Sequence, residues 1–177
     1  MTLFRRSIEV EVEEGEDGSI ELRGRLLDLR SGNELHGLEA VMRVRVADGV
    51  ILRVEADMPV VPMPECREAL PVVGELEGEA IRPGFSDLVR GVVGSSRGCT
   101  HLANLLMNMG NVSVQGRAAF VQRYYDEDDA QEQLAEHAVQ LGLINSCVCW
   151  REDGPVVRRW RERRERREKQ EKREEQQ

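Results

Sequence analysis

Aromatic side chains make up 4% of this 177-residue chain, against 40% for hydrophobic residues as a whole. The core must therefore be built from Val, Leu, Ile, Ala and Met, where cutting one large aliphatic to Ala costs about 2–5 kcal/mol. Long apolar runs are missing as well. No stretch approaches the ~20 residues that span a bilayer, and the opening Met1-Thr2-Leu3-Phe4-Arg5-Arg6 lacks the apolar run of a secretory signal. A cytoplasmic protein without a membrane partner is expected. Cysteine is limited to Cys66, Cys99, Cys147 and Cys149. In a reducing compartment these are free, metal-bound or reactive rather than disulfide-paired, and the Cys147-Val148-Cys149 spacing is awkward for a mutual bridge. Also absent are the phosphate-binding loop with its Gly-Lys-Ser/Thr ending, the dinucleotide-binding glycine triad and the nucleophile elbow. The Gly91–Gly98 stretch resembles a phosphate loop in glycine content alone.

What is present is charge, unevenly placed. The net charge is −8. Residues 156–177 carry ten Arg and Lys against six Glu, +4, which leaves 15 basic against 27 acidic side chains, −12, in the rest. An acidic body argues against nucleic acid as the main partner, because duplex binding depends on a basic face that neutralises phosphates, although the tail alone suits an acidic surface. The composition break predicts one domain over residues 1–155 and a charged helical tail over 156–177.

The first third alternates with period two. Ile8, Val10 and Val12 against Glu9, Glu11 and Glu13 predict a strand over Ser7–Glu13 with one wet face. The turn residues Glu14 to Gly18 lead into a second strand over Ser19–Leu29. Leu38–Val46 and Val50–Ala56, separated by Asp48-Gly49, complete a four-strand meander. Such a sheet needs a cover on its apolar face. Helical spacing begins after the extended Pro59–Pro64 segment: Glu65–Gly74, Gly84–Val93, and Cys99 or Thr100 to Met109. Asn111–Tyr125 suits a helix or an extended segment, with helix favoured. The acidic run Asp126–Asp129 suits a helix N-terminus, continued over Gln131–Leu141 and ended by Gly142. The class is α+β, an antiparallel meander covered by later helices. Past Pro155, Glu162/Arg166, Glu165/Lys169 and Glu168/Lys172 stand four apart, each such pair worth ~0.2–0.5 kcal/mol. No apolar seam follows Trp160, so the tail reads as a solvated helix or a partner-binding arm rather than a coiled coil.

The sharpest local feature is Arg97-Gly98-Cys99-Thr100-His101-Leu102, a thiol and an imidazole at a helix start. Unpaired N–H groups there favour a thiolate, which makes Cys99 the first candidate for a ligand or nucleophile. The bland alternative is a small buried hydrophobe. Cys66, Cys99, His101 and Cys147 all lie near element edges, and zinc and iron favour such thiolate and imidazole sets, although no spacing matches a zinc knuckle. His36, near the start of the third strand, is a further member or an ordinary turn histidine. His137 reads as a surface residue.

Gly98-Cys99-Thr100-His101-Leu102, Gly78-Glu79-Ala80-Ile81 before Gly84-Phe85, and Asn145-Ser146-Cys147 followed by Trp150 to Gly154 together resemble the bacterial domain-of-unknown-function family numbered 2889. The resemblance covers roughly residues 4–160. The chain departs from it at Cys149, where the family implies His, and in its charged tail. A second likeness, in topology, is to the NifU/SufE-like iron–sulfur scaffolds, which place one Cys in a loop after a strand meander and another at a later helix start. That likeness implies a site of Cys66 with Cys99, with Asp57 standing where those scaffolds use a carboxylate.

Three functional expectations follow. The first is a metal- or iron–sulfur-binding accessory domain, with zinc or iron held by Cys66, Cys99, His101 and Cys147, serving a protein partner such as a metalloenzyme. The second is a non-catalytic accessory subunit that docks on a larger enzyme through its sheet edge and charged arm. The third is a thiol enzyme using Cys99 with His101 as base. Two residues apart on one helix, those two side chains would face differently, which counts against the third.

Overall fold

The computed structural model describes residues 2–123, 138 and 143–174. The expected helix over Gln131–Leu141, with Asp126–Asp129, His137 and Gly142, lies outside the described residues. Four strands form one antiparallel sheet in sequence order: β1 (Phe4–Glu14), β2 (Ser19–Arg30), β3 (Asn33–Arg45) and β4 (Ile51–Val60). The meander is as the alternation predicts. Each strand is longer than its pattern, and β3 begins at Asn33 rather than Leu38. The reason is the turn before it. Ser31 and Gly32 have φ of 50° and 86°, the left-handed pair that a two-residue hairpin turn requires. A bulge follows at once, because Asp28 pairs with His36 while Leu29 pairs with Glu34. The extra residue, Leu35, breaks the alternation and hides the strand's start. His36 is therefore a strand residue and not a turn histidine.

The inward face is aliphatic throughout. Ile20, Leu22 and Leu26 of β2, Leu38, Met42 and Val44 of β3, and Val54 and Met58 of β4 are all 3% exposed or less. The opposite face carries Glu9, Glu11, Arg23, Arg25, Glu39, Arg43, Arg53 and Glu55, a mixed-charge surface in water.

After β4 the chain forms a 3-10 segment (Pro64–Leu76) where an α-helix is expected. Pro71 lies inside it, and its missing N–H and its ring oppose α-helical bonding to the preceding turn. Then come α1 (Phe85–Val92), α2 (Thr100–Gln122) and α3 (Pro155–Glu174). Gly110 does not interrupt α2. A side chain there would strike the Phe85 ring, with a Cβ 2.4 Å from its Cε1, so the glycine serves close packing rather than a break.

Leu102, Leu105, Leu106 and Met109 of α2 are fully buried. A Cβ on Gly24 would lie 2.6 Å from the Met109 sulfur, and one on Gly116 2.6 Å from Val12 and 3.2 Å from Ile20. Met109 thus sits over Gly24 and Gly116 over the Val12–Ile20 end, so α2 runs antiparallel to β2. The spacing is compatible, since the seven helical steps from Met109 to Gly116 at ~1.5 Å and the four strand steps from Gly24 to Ile20 at ~3.3 Å cover about 10 and 13 Å. This direction brings the α2 N-terminus to the Asp28 end of the sheet. At the other end Arg117 Nε donates to the Val46 carbonyl at 3.0 Å.

Residue contacts divide the chain into two compact units, Met1–Phe120 and Val121–Gln177. In the second, α3 is exposed from Arg161 to Lys169. Arg164 pairs with Glu168 at 3.1 Å and lies over the Trp160 ring at 5.9 Å. No helix among the described residues is long and apolar enough to cross a membrane.

Candidate metal centre

Asp28 occupies an inward position of β2, in phase with Ile20, Leu22 and Leu26, and its side chain is 0% exposed. A buried carboxylate must be paired to remain ionised. Strand register supplies both partners. Arg6 is opposite on β1 and His36 opposite on β3. Arg6 donates from Nε to Oδ1 at 2.7 Å and from Nη2 to Oδ2 at 2.8 Å, the two-pronged geometry of a guanidinium on a carboxylate. His36 Nδ1 lies 2.9 Å from Oδ2. The Arg6 hydrogen bonds, and then that of His36, hold the Asp28 carboxyl below the usual carboxylate range, against the opposing effect of burial.

The helix adds the remaining groups. The His101 ring stacks on His36, with centroids 4.0 Å apart and planes at 30°. Burial, followed by the charges of His36 and Arg6, pushes the His101 pKa down and favours its neutral form. Cys99 Sγ is 3.8 Å from His101 Nδ1, so the expectation that these two side chains face apart is corrected. Cys99 precedes α2, and its carbonyl accepts the first helical bond, from the Ala103 N–H at 2.9 Å. As the capping residue it is not bound by helical side-chain spacing. Its own N–H donates to the Val93 carbonyl at 2.8 Å. Gly98 permits that approach, since a Cβ there would lie 2.1 Å from the same oxygen. Arg97 anchors the loop to the 3-10 segment through two bonds to Glu75, at 2.9 and 3.0 Å.

The donor atoms of Asp28, His36 and His101 all lie within 4.8 Å of one another. Of the expected ligand set, the structure brings Cys99 and His101 together. Cys66 is half-buried on the 3-10 segment, and Cys147 is exposed in the second unit. None of the three cysteines of the set, Cys99 included, belongs to a group of three clustered ligands among the described residues. The backbone N–H groups of Trp150 and Cys149 hold the Cys147 thiol below its usual pKa. Asp57 lies on a separate open groove of about 670 Å³ between β3, β4 and the 3-10 segment, beside Glu39, Glu55 and Pro71. Asp28 and Arg6 escape sequence reasoning. The available signal is a carboxylate in phase with the apolar positions of β2, where a solvated Asp does not belong.

A family described as Protein of unknown function (DUF2889) matches residues 4–115, a span that holds Arg6, Asp28, His36, Cys99 and His101. The chain belongs to the DUF2889 family. The matched span of this DUF2889 member ends before Cys147 and before α3. No curated protein and no solved structure matches the chain.

Chemically, the cluster offers two neutral imidazoles when both rings are deprotonated, one carboxylate and a neighbouring thiol. A Cys99–His101 thiolate pair needs His101 to take up a proton. Burial opposes that charge, whereas a metal ligand must be the neutral imidazole.

Proposed function

We propose that this DUF2889 member is a metal-binding domain whose ion, zinc or iron, is held by His36 and His101 with the carboxylate of Asp28. The observation that carries the reading is the convergence of the three donor sets within 4.8 Å from three different elements, with the acidic member buried. Exposed carboxylates gather without purpose; a buried one wedged between an arginine and a histidine is a costly arrangement to keep. Asp28 Oδ2 lies 2.9 Å from Nδ1 of His36, a hydrogen bond that the ion replaces when it takes the carboxylate as a ligand. Zinc and iron take nitrogen and oxygen donors at about 2.0–2.2 Å. Binding therefore draws the groups inward and turns the stacked rings. Cys99, 3.8 Å from His101 Nδ1, is an adjacent soft donor outside that group of three. This replaces the wider thiolate set of Cys66, Cys99, His101 and Cys147 with a mixed imidazole–carboxylate site, and it favours a single ion over an iron–sulfur cluster.

The test is zinc and iron(II) titration of the full chain by calorimetry, beside metal analysis of freshly purified protein. One ion per parent chain, abolished in both His36→Gln and His101→Gln, is the expected result. A folded parent that takes up neither ion removes the reading.

A second reading, an accessory subunit that docks on a larger enzyme, rests on α3, a long helix exposed and charged beyond Trp160. Affinity capture with chains that include or lack residues 161–177 tests it. Recovery of the same proteins, or of none, by both chains ends that role for α3.

A further inference from the structure

The two edges of the sheet are treated differently. The outer edge of β4 is interrupted by Pro59 and by bulges where its register with β3 shifts, and its Val54 N–H is taken by the Glu77 side chain at 3.0 Å. These are the devices by which proteins blunt an edge against pairing. Among the described residues β1 shows neither a proline nor a bulge along the 11 residues that pair with β2. The Ser31 N–H bonds to the Leu3 carbonyl and the Gly15 N–H to the Ser19 carbonyl, so the odd positions of β1 bond to β2. The alternation of an antiparallel ladder then turns the backbone groups of Phe4, Arg6, Ile8, Val10 and Val12 outward. The apolar face is incompletely covered along the same strand. Ile8, Val10 and Val12 are only half-buried, and Leu3 and Phe4 are 72% and 49% exposed.

We propose that β1 pairs edge to edge with β1 of a second copy of this chain, antiparallel about a twofold axis at Ile8, to make a continuous eight-stranded sheet. Charge selects both the occupant and the register. Arg5, Glu9 and Glu11 form no ion pair among the described residues. With Ile8 opposite Ile8, Arg5 faces Glu11 of the second copy, Ser7 faces Glu9, Arg6 faces Val10, and the exposed Phe4 ring faces Val12. Each match occurs twice by symmetry. Moving one copy by two residues toward the C-terminal end sets Glu9 against Glu9, and moving it the other way leaves Val12 unpaired. The Ile8 register is thus the longest that opposes no like charges. These side chains alternate between the solvent face and the helix-covered face, so the pairing extends both layers.

Sedimentation of the full chain at micromolar concentrations, with charge reversals on the solvent face, tests the proposal. The expected parent mass is twice 20.1 kDa. Arg5→Glu and Glu11→Arg each weaken the dimer about tenfold or more, by opposing like charges twice, and the double variant restores it. Both sites are exposed, so circular dichroism is expected to be unchanged. Ile8→Pro, which removes an outward N–H and no bond to β2, leaves a folded monomer. A monomeric parent, or a dimer indifferent to both reversals, overturns the proposal.

Discussion

Asp28 carries the tightest set of interactions in the described chain, and its removal tests them together. Asp28→Asn leaves Arg6 and His36 without their charged acceptor. A fully buried broken pair costs about 3–5 kcal/mol, but Arg6 is 32% exposed, so a loss of about 2 kcal/mol in urea unfolding is expected. The pH dependence has a definite sign. Asp28 has a depressed folded pKa, so its contribution is present above the ordinary carboxylate range and is lost as pH falls through the folded value. His101 is depressed too. The folded chain resists its protonation, and that contribution, complete above the unfolded histidine value of about 6.5, drains away as pH drops below it. Unfolding midpoints from pH 8 to pH 5 are therefore expected to fall faster in the parent than in His101→Gln. Parallel curves would mean that the His101 environment does not discriminate between its protonation states.

At the level of elements, the α2 entry loop sets where the imidazole and thiol stand. Gly98→Ala forces a Cβ into the Val93 carbonyl at 2.1 Å, and backbone on both sides must shift. We expect a loss of about 2–4 kcal/mol in chemical unfolding, together with weaker metal uptake, because Cys99 and His101 move with the loop. The helix-to-sheet contact is tested at Met109, which is 0% exposed and lies over Gly24. Met109→Ala is expected to cost about 2–4 kcal/mol by the same unfolding measurement. Gly24→Ala drives a methyl into the same sulfur, and the double variant is expected to recover part of the loss, a coupling that separate sites do not show.

For the whole molecule, the division into two units predicts an uneven response to truncation. Deleting residues 161–177 removes the exposed part of α3, with the Arg161–Glu152 and Arg164–Glu168 pairs. Exposed ion pairs are worth about 0–1 kcal/mol. The unfolding midpoint of the Met1–Phe120 unit is expected to be unchanged by thermal scanning. The acidic body and basic tail still matter for association, since opposite charge on one chain makes self-contact sensitive to salt. Repeating the sedimentation measurement at several ionic strengths separates β1 pairing, anchored by backbone bonds, from looser tail contacts.

The meander was legible in the sequence because a half-buried strand writes its two faces into alternate residues: Ile8, Val10, Val12 against the glutamates is a local signal. The aliphatic face of α2 was legible for the same reason, and so were Cys99 and His101 as candidates, since both lie in one short run. Two things were not. Leu35 broke the alternation just where His36 enters β3, and Pro71 replaced an α-helix with a 3-10 segment that the apolar spacing does not distinguish. The site itself is non-local: Arg6, Asp28, His36 and His101 come from β1, β2, β3 and α2. Sequence determined which side chains each element presents inward, because periodicity needs only neighbouring residues. Only the tertiary structure decided that Asp28 meets Arg6 and His36, through strand register, and that His101 closes over them, through the antiparallel passage of α2 across β2.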